Sequence, residues 1–117
     1  SGMFRAMQLA AATALEAEAD WYEGNNENYL NRRHLAGEIM KTLGCTYDEK
    51  QVGMFLWGKI PASCKDVEEL TEKVLHEARV FITPGFIFGS NGARYIRISL
   101  CCKDNKLAEA LERIKRI

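Results

Sequence analysis

Apolar and polar positions alternate along this chain with two different periods. From Met3 to Tyr22, Phe4, Met7, Ala11 and Leu15 recur at steps of three and four, forming one stripe of a helix in a background of alanine and glutamate. Glu23-Gly24-Asn25-Asn26 then interrupts with turn-forming residues, so the first helix is predicted to end there. Asn25 or Asn26 is placed to cap a second helix running to about Leu43, with Leu35, Ile39 and Leu43 as its stripe and Ala36 and Met40 alongside. Gly44 follows where a left-handed C-terminal cap is wanted. Gly53 to Ile60 (GMFLWGKI) is a mostly apolar strand closed by Pro61, and its continuous apolar run predicts burial on both faces. Asp66 and Glu69 make a capping arrangement for a helix to about Glu77, with Val67, Leu70, Val74 and Leu75 inward. Arg79 to Ile82 reads as a short strand entering Thr83-Pro84-Gly85, and Phe86 to Ala93 (FIFGSNGA) as a loop.

Arg94 to Cys101 (RYIRISLC) holds the cleanest period-two pattern: Ile96, Ile98 and Leu100 on one face, Tyr95, Arg97 and Ser99 on the other. Asp104 is placed to cap a last helix that buries Leu107, Leu111 and Ile114, with Glu109–Arg113 and Glu112–Arg116 as supporting pairs. The order helix, helix, strand, helix, strand, strand, helix predicts an α/β (α+β two-layer) domain, a small sheet of three to four strands covered by helices.

Composition narrows the function classes. At 117 residues the chain is long enough for one domain, and 16 Lys+Arg balance 16 Asp+Glu. No basic excess marks a nucleic-acid or membrane surface, and no apolar run approaches the ~20 residues of a membrane span. Ser1-Gly2 ahead of Met3 reads as an expression scar, leaving 3–117 as the single domain. Cys45, Cys64, Cys101 and Cys102 lack C-x-x-C spacing and a disulfide framework, which points to a reducing, cytoplasmic setting. With His34 and His76 apart from them, no metal site is expected.

Arg97 is the most informative side chain. A guanidinium in mid-strand with an isoleucine on each side needs a partner. On the residues alone, two partners are open: an internal Asp or Glu, or the carboxylate of a ligand gripped by the planar donor fork. Tyr95 and Ser99 share its face. In Thr83 to Gly92 (TPGFIFGSNG), proline and glycines fix a path that allows close backbone approach, either to a ligand or as a plain connection. Arg32-Arg33-His34 reads first as a solvated helix face, with a face turned to phosphate or acid as the other reading. Adjacent Cys101 and Cys102 offer a thiolate, but at a strand end they read first as packing thiols, and no nucleophile–base arrangement with a known spacing occurs.

Thr83-Pro84-Gly85, Phe88-Gly89, Gly92 and Tyr95-Ile96-Arg97-Ile98-Ser99 together resemble the C-terminal segment of fold-type I pyridoxal-phosphate aminotransferases, in the class I/II branch with aspartate and LL-diaminopimelate aminotransferases. Tyr29-x-x-Arg32-Arg33 with Leu43-Gly44 is similar to that family's interdomain helix. Gly53-Met54-Phe55-Leu56-Trp57 is similar to its G-x-F-x-W strand, and Gln8 to Leu15 to the alanine-rich helix before it. The resemblance implies that Arg97 binds the substrate α-carboxylate, with the Pro84–Gly92 loop near the substrate mouth and Phe55 and Trp57 mainly in the core. It also implies a homodimeric parent that uses pyridoxal 5'-phosphate to move amino groups between amino acids and 2-oxo acids; other reactions of that cofactor would use the same clamp.

In the family the large domain carries the Schiff-base lysine, in a Ser/Thr-x-x-Lys context. None of the eight lysines here has Ser or Thr three residues before it. The chain is therefore expected to be the C-terminal small domain, with no catalytic or cofactor-binding residue of its own, inactive alone, and with apolar surface bared at the first helix and at Phe86–Phe88. The other reading is a free-standing α/β module that binds a small acid or a protein without catalysis.

Overall fold

A computed structural model describes residues 2–117. The chain runs α1 (Arg5–Leu15), α2 (Ala19–Thr42), β1 (Phe55–Lys59), α3 (Val67–Lys73), β2 (Thr83–Pro84), β3 (Tyr95–Ser99) and α4 (Asp104–Lys115), in the predicted order. One π-helical turn (Val74–Ala78) continues α3, and two 3-10 turns (Gly85–Phe88 and Ser90–Gly92) fill the loop before β3. The three strands form one antiparallel sheet in the order β1-β3-β2. Ile96, Ile98 and Leu100 face inward as their period-two spacing predicts, joined by Leu56 from β1. Met40 of α2, Val67 and Leu70 of α3, and Leu107, Leu111 and Ile114 of α4 complete the core against that face. The result is the expected two-layer α/β arrangement, with helices on one side of the sheet.

The opposite side corrects the reading of β1. Its burial alternates along the strand: Leu56 and Gly58 are covered, whereas Phe55 and Trp57 are half-buried and Lys59 is exposed. The apolar run mimicked a strand buried on both sides because the residues on its bare face are aromatic.

The first two helices meet elsewhere than predicted. The break falls at Glu16–Glu18, and α2 continues straight through Gly24-Asn25-Asn26. One interior glycine costs a helix only about 1 kcal/mol, so a 24-residue helix absorbs it. At the corner the Tyr22 hydroxyl donates to the Ala14 carbonyl, which also accepts the Ala17 N–H at 3.2 Å, and so ties α2 back to the end of α1. Gly44 does end α2, at φ +75, with its N–H on the Lys41 carbonyl (3.0 Å) and that of Cys45 on the Met40 carbonyl (2.9 Å).

Further along, Asp66 caps α3 by accepting from the Glu69 N–H at 2.9 Å, as predicted. The strand expected over Arg79–Ile82 begins only at Thr83, because Arg79 turns into the left-handed region (φ 57) to leave the π turn. Asp104 is not a cap: Lys103 holds that position, and the Asp104 carboxylate is committed to α2. Glu109 pairs with Arg113 at 2.5 Å, while Glu112 reaches Lys115 rather than Arg116.

The radius of gyration is 17.2 Å, against about 13 Å for a compact chain of this length. The excess comes from α1, which buries no residue, and from the first half of α2. Phe4 is 73% and Leu15 82% exposed, and Phe86, Ile87 and Phe88 are exposed as well, as the sequence led one to expect. No helix among the described residues is long and apolar enough to cross a membrane.

Candidate functional site

The bare face of the sheet is organised around Arg97. It lies at the middle of the central strand, in register with Trp57 on one side and Thr83 on the other. Its guanidinium carbon sits 4.1 Å from the ring centroid of Phe55 and 4.0 Å from that of Phe88. Two rings this close to a planar cation supply cation–π attraction without using any of its N–H donors. Arg97 makes no ion pair or hydrogen bond within the described residues. The sole sealed side-chain nitrogen without a partner among them is Nη1 of Arg33, so the Arg97 donors still reach solvent. The internal carboxylate that a purely structural arginine would require is therefore not at hand among the described residues.

The neighbouring backbone explains how Phe88 gets there. Gly85 and Gly92 pinch the loop: a Cβ on Gly85 would stand 2.5 Å from the Gly92 carbonyl oxygen and 2.7 Å from that of Tyr95. This close approach throws the intervening residues outward over β3. Phe88 then meets Trp57 edge-on at 5.6 Å, and Trp57 meets Tyr95 at 6.5 Å. Phe55 and Phe88 thus flank the cation, and Trp57 and Tyr95 continue the aromatic surface beyond Phe88. On the sequence, Phe55 reads mainly as core and Phe88 as part of an exposed apolar loop, and neither announces a contact with Arg97. The available signal was the i, i+2 spacing of Phe55 and Trp57 on a strand that pairs with the arginine strand.

This face is a platform rather than a cavity. The concave space of the molecule lies to its side, in a groove of about 450 Å³ bordered by Trp57, Tyr95 and Lys59, and in a larger one of about 680 Å³ along α2 bordered by Arg33, His34 and Tyr47. Ser99 is exposed, and its Oγ accepts the Cys101 N–H at 3.2 Å.

Arg32 and Arg33 are not the solvated pair that their sequence context suggested. Arg32 donates from Nε to Asp104 at 2.8 Å and from Nη1 to the Leu100 carbonyl at 3.1 Å, and lies over the Tyr29 ring. Asn31 donates to the second Asp104 oxygen. These bonds hold the Asp104 carboxyl below the usual carboxylate range and push Arg32 further up. Arg33 donates to the Gly53 carbonyl at 2.7 Å, and His34 alone of the three is exposed. The two arginines therefore pin α2 to the strand ends.

Cys101 and Cys102 are likewise not packing thiols: β3 stops at Ser99, the chain swings outward, and both are exposed. Cys45 is the buried thiol, pushed up to about 11 by desolvation. No cluster of three or more His, Cys, Asp or Glu side chains suited to a metal occurs among the described residues.

A small antiparallel α+β domain, helices on one face and a framed, unpaired cation on the other, defines the class of fold. Residues 2–114 match the family described as aminotransferase class I and II, and the chain belongs to that family. It is 36% identical over 115 residues to an LL-diaminopimelate aminotransferase of Desulforudis audaxviator, covering 98% of this chain and 29% of that protein. It is 32% identical to transaminase BacF of Bacillus subtilis, covering 99% and 29%. The apo structure of BacF superposes with a TM-score of 0.76 at 33% identity over 98% of this chain and 30% of the other. An aromatic aminotransferase of Pyrococcus horikoshii gives 0.77 at 33% identity, over 93% and 30%. The chain thus spans less than a third of the length of the relatives it matches.

Proposed function

We propose that residues 3–117 form the small, substrate-facing domain of a longer pyridoxal-phosphate aminotransferase, and that Arg97 binds the α-carboxylate of the amino-acid and 2-oxo-acid substrates. The observation that carries this reading is the pairing state of Arg97: a guanidinium in mid-sheet, about 4 Å from two aromatic rings, with no hydrogen-bond or ion-pair partner among the described residues. A carboxylate approaching edge-on can take two parallel N–H bonds, which fixes the direction of the α-carbon as well as holding the acid. The rings of Phe55 and Phe88 replace part of the water around the guanidinium, which strengthens that contact.

The cofactor supplies an aldehyde and an electron sink for moving the amino group, and it requires an amine, an acid at its ring nitrogen and a phosphate cup. This platform does not fit that need. Lys59, on the same face of β1, stands opposite Tyr95 at the strand end, and among the described residues no carboxylate pairs with Arg97. The remainder of the longer protein would hold the cofactor, in a cytoplasmic homodimer, and the exposed stripe of α1 and the Phe86–Phe88 loop would lie against it.

The test uses the longer protein that contains this chain. Arg97→Met is expected to raise KM for the amino acid by about thirtyfold or more, since truncating one partner of a buried charge pair costs ~2–5 kcal/mol. Arg97→Lys falls between, because it keeps the charge and loses the fork. Cofactor absorbance stays that of the unsubstituted protein in both. Unchanged KM in Arg97→Met, or a longer protein without transaminase activity, would refute the reading; a reading frame that starts at Met3 would leave the free-standing binding module.

A further inference from the structure

We propose that Cys101 and Cys102 form a vicinal dithiol site that captures organic arsenic(III) compounds through two sulfur–arsenic bonds. Of the four thiols, Cys45 is buried and Cys64 half-buried, whereas Cys101 and Cys102 are adjacent and both exposed. The turn that carries them is fastened at both ends. Arg32 holds the Leu100 carbonyl and the Asp104 carboxylate, and the Cys101 N–H donates to Ser99 Oγ. With the backbone already ordered, little further freedom is lost when both sulfurs engage one atom.

The chemistry of neighbouring cysteines selects the ligand class. Adjacent α-carbons stand about 3.8 Å apart, short of the 4.4–6.8 Å that a relaxed disulfide spans, so direct S–S closure is strained and the pair persists as thiols. An arsenic atom set between the sulfurs lengthens the bridge and removes that conflict. Zinc is disfavoured, since it takes four ligands and no third donor joins the pair among the described residues. An arsenic(III) centre with one carbon substituent has two positions to fill. With phenylarsine oxide the step is a condensation: two S–H bonds and the arsenic–oxygen bond break, two As–S bonds form, and the two thiol protons leave with the oxide oxygen as water. No electron is transferred.

The probe is phenylarsine oxide added to the native 117-residue chain. One equivalent is expected to remove two thiols from reaction with a chromogenic disulfide reagent. 2,3-Dimercaptopropanol should restore both, and a hundredfold excess of 2-mercaptoethanol should not. Cys101→Ser and Cys102→Ser, both at exposed positions, should each weaken binding at least a hundredfold with an unchanged circular dichroism spectrum. Cys64→Ser should bind as the unsubstituted chain does. The two cysteines lie on one tryptic peptide, Ile98–Lys103, which should carry the phenylarsenic mass. Retention of tight binding in either single variant, or protection of Cys64 in place of the pair, would overturn the proposal.

Discussion

Removing the ring of Phe88 isolates one half of the stack on Arg97. A cation–π contact contributes ~0.5–1 kcal/mol at an exposed site and ~2 kcal/mol when desolvated. Phe88 is 50% exposed, which puts its share near the middle of that span, about 1 kcal/mol. At 1.4 kcal/mol per factor of ten, Phe88→Ala should therefore raise KM for the acid substrate about fivefold, with kcat moving much less. Phe88→Leu separates ring electrostatics from bulk, because it keeps apolar cover and lacks the quadrupole. It should resemble the alanine variant more than the unsubstituted protein.

The chain itself offers a direct readout. Rings 4.1 and 4.0 Å from the guanidinium carbon should shift the Arg97 Nε–H proton resonance upfield. Phe88→Ala should remove about half of that shift while Phe55 still supplies the rest. Steady-state constants of the Leu variant equal to those of the unsubstituted protein, together with an unmoved Arg97 resonance in the Ala variant, would refute the claim that the stack positions the guanidinium.

Two further outcomes follow from the geometry. Asp104→Ala should destabilise the chain at neutral pH, with the difference from the unsubstituted chain shrinking in acid. Its folded-state pKa is depressed by the bonds from Arg32 and Asn31, so the contribution is present above the unfolded aspartate value of about 3.9 and lost as pH falls through the lower folded value. Urea titrations at pH 7 and pH 2 check this, and an equal gap at both would contradict it. Gly85→Ala forces a methyl against the Gly92 carbonyl oxygen, and overpacking of this kind costs ~1–3 kcal/mol, or roughly 4–12 °C in Tm. A thermal scan that shows no loss would mean the pinch is not needed to seat Phe88.

The parts of the fold that follow from local spacing were legible. The strand around Arg97 alternates cleanly because one face meets the core and the other does not, and Gly44 and Asp66 announce their helix ends through backbone chemistry. The corner between α1 and α2 carries no glycine or proline. It depends on a tyrosine hydroxyl reaching back eight residues, which periodicity does not encode. Phe55 and Trp57 misled for a different reason: aromatic residues on a bare face look like core until the sheet is known to be one-sided. The roles of Arg32 and Asp104 were hidden by distance, since seventy-two positions separate the two groups and neither flags the other.

The tie between Arg32 and Asp104 also has a mechanical consequence. Helix α2 is about 36 Å long at 1.5 Å per residue, and its buried positions are confined to Ala36, Gly37, Ile39 and Met40. Arg32 bolts it just ahead of those positions to the turn leaving the arginine strand. The pair, with the Arg32 bond to the Leu100 carbonyl, is a direct side-chain link between the helix and the strand end. A tilt of a few degrees at the sheet sweeps the far tip of the helix by roughly 1–2 Å, so force applied at either end is felt at the other.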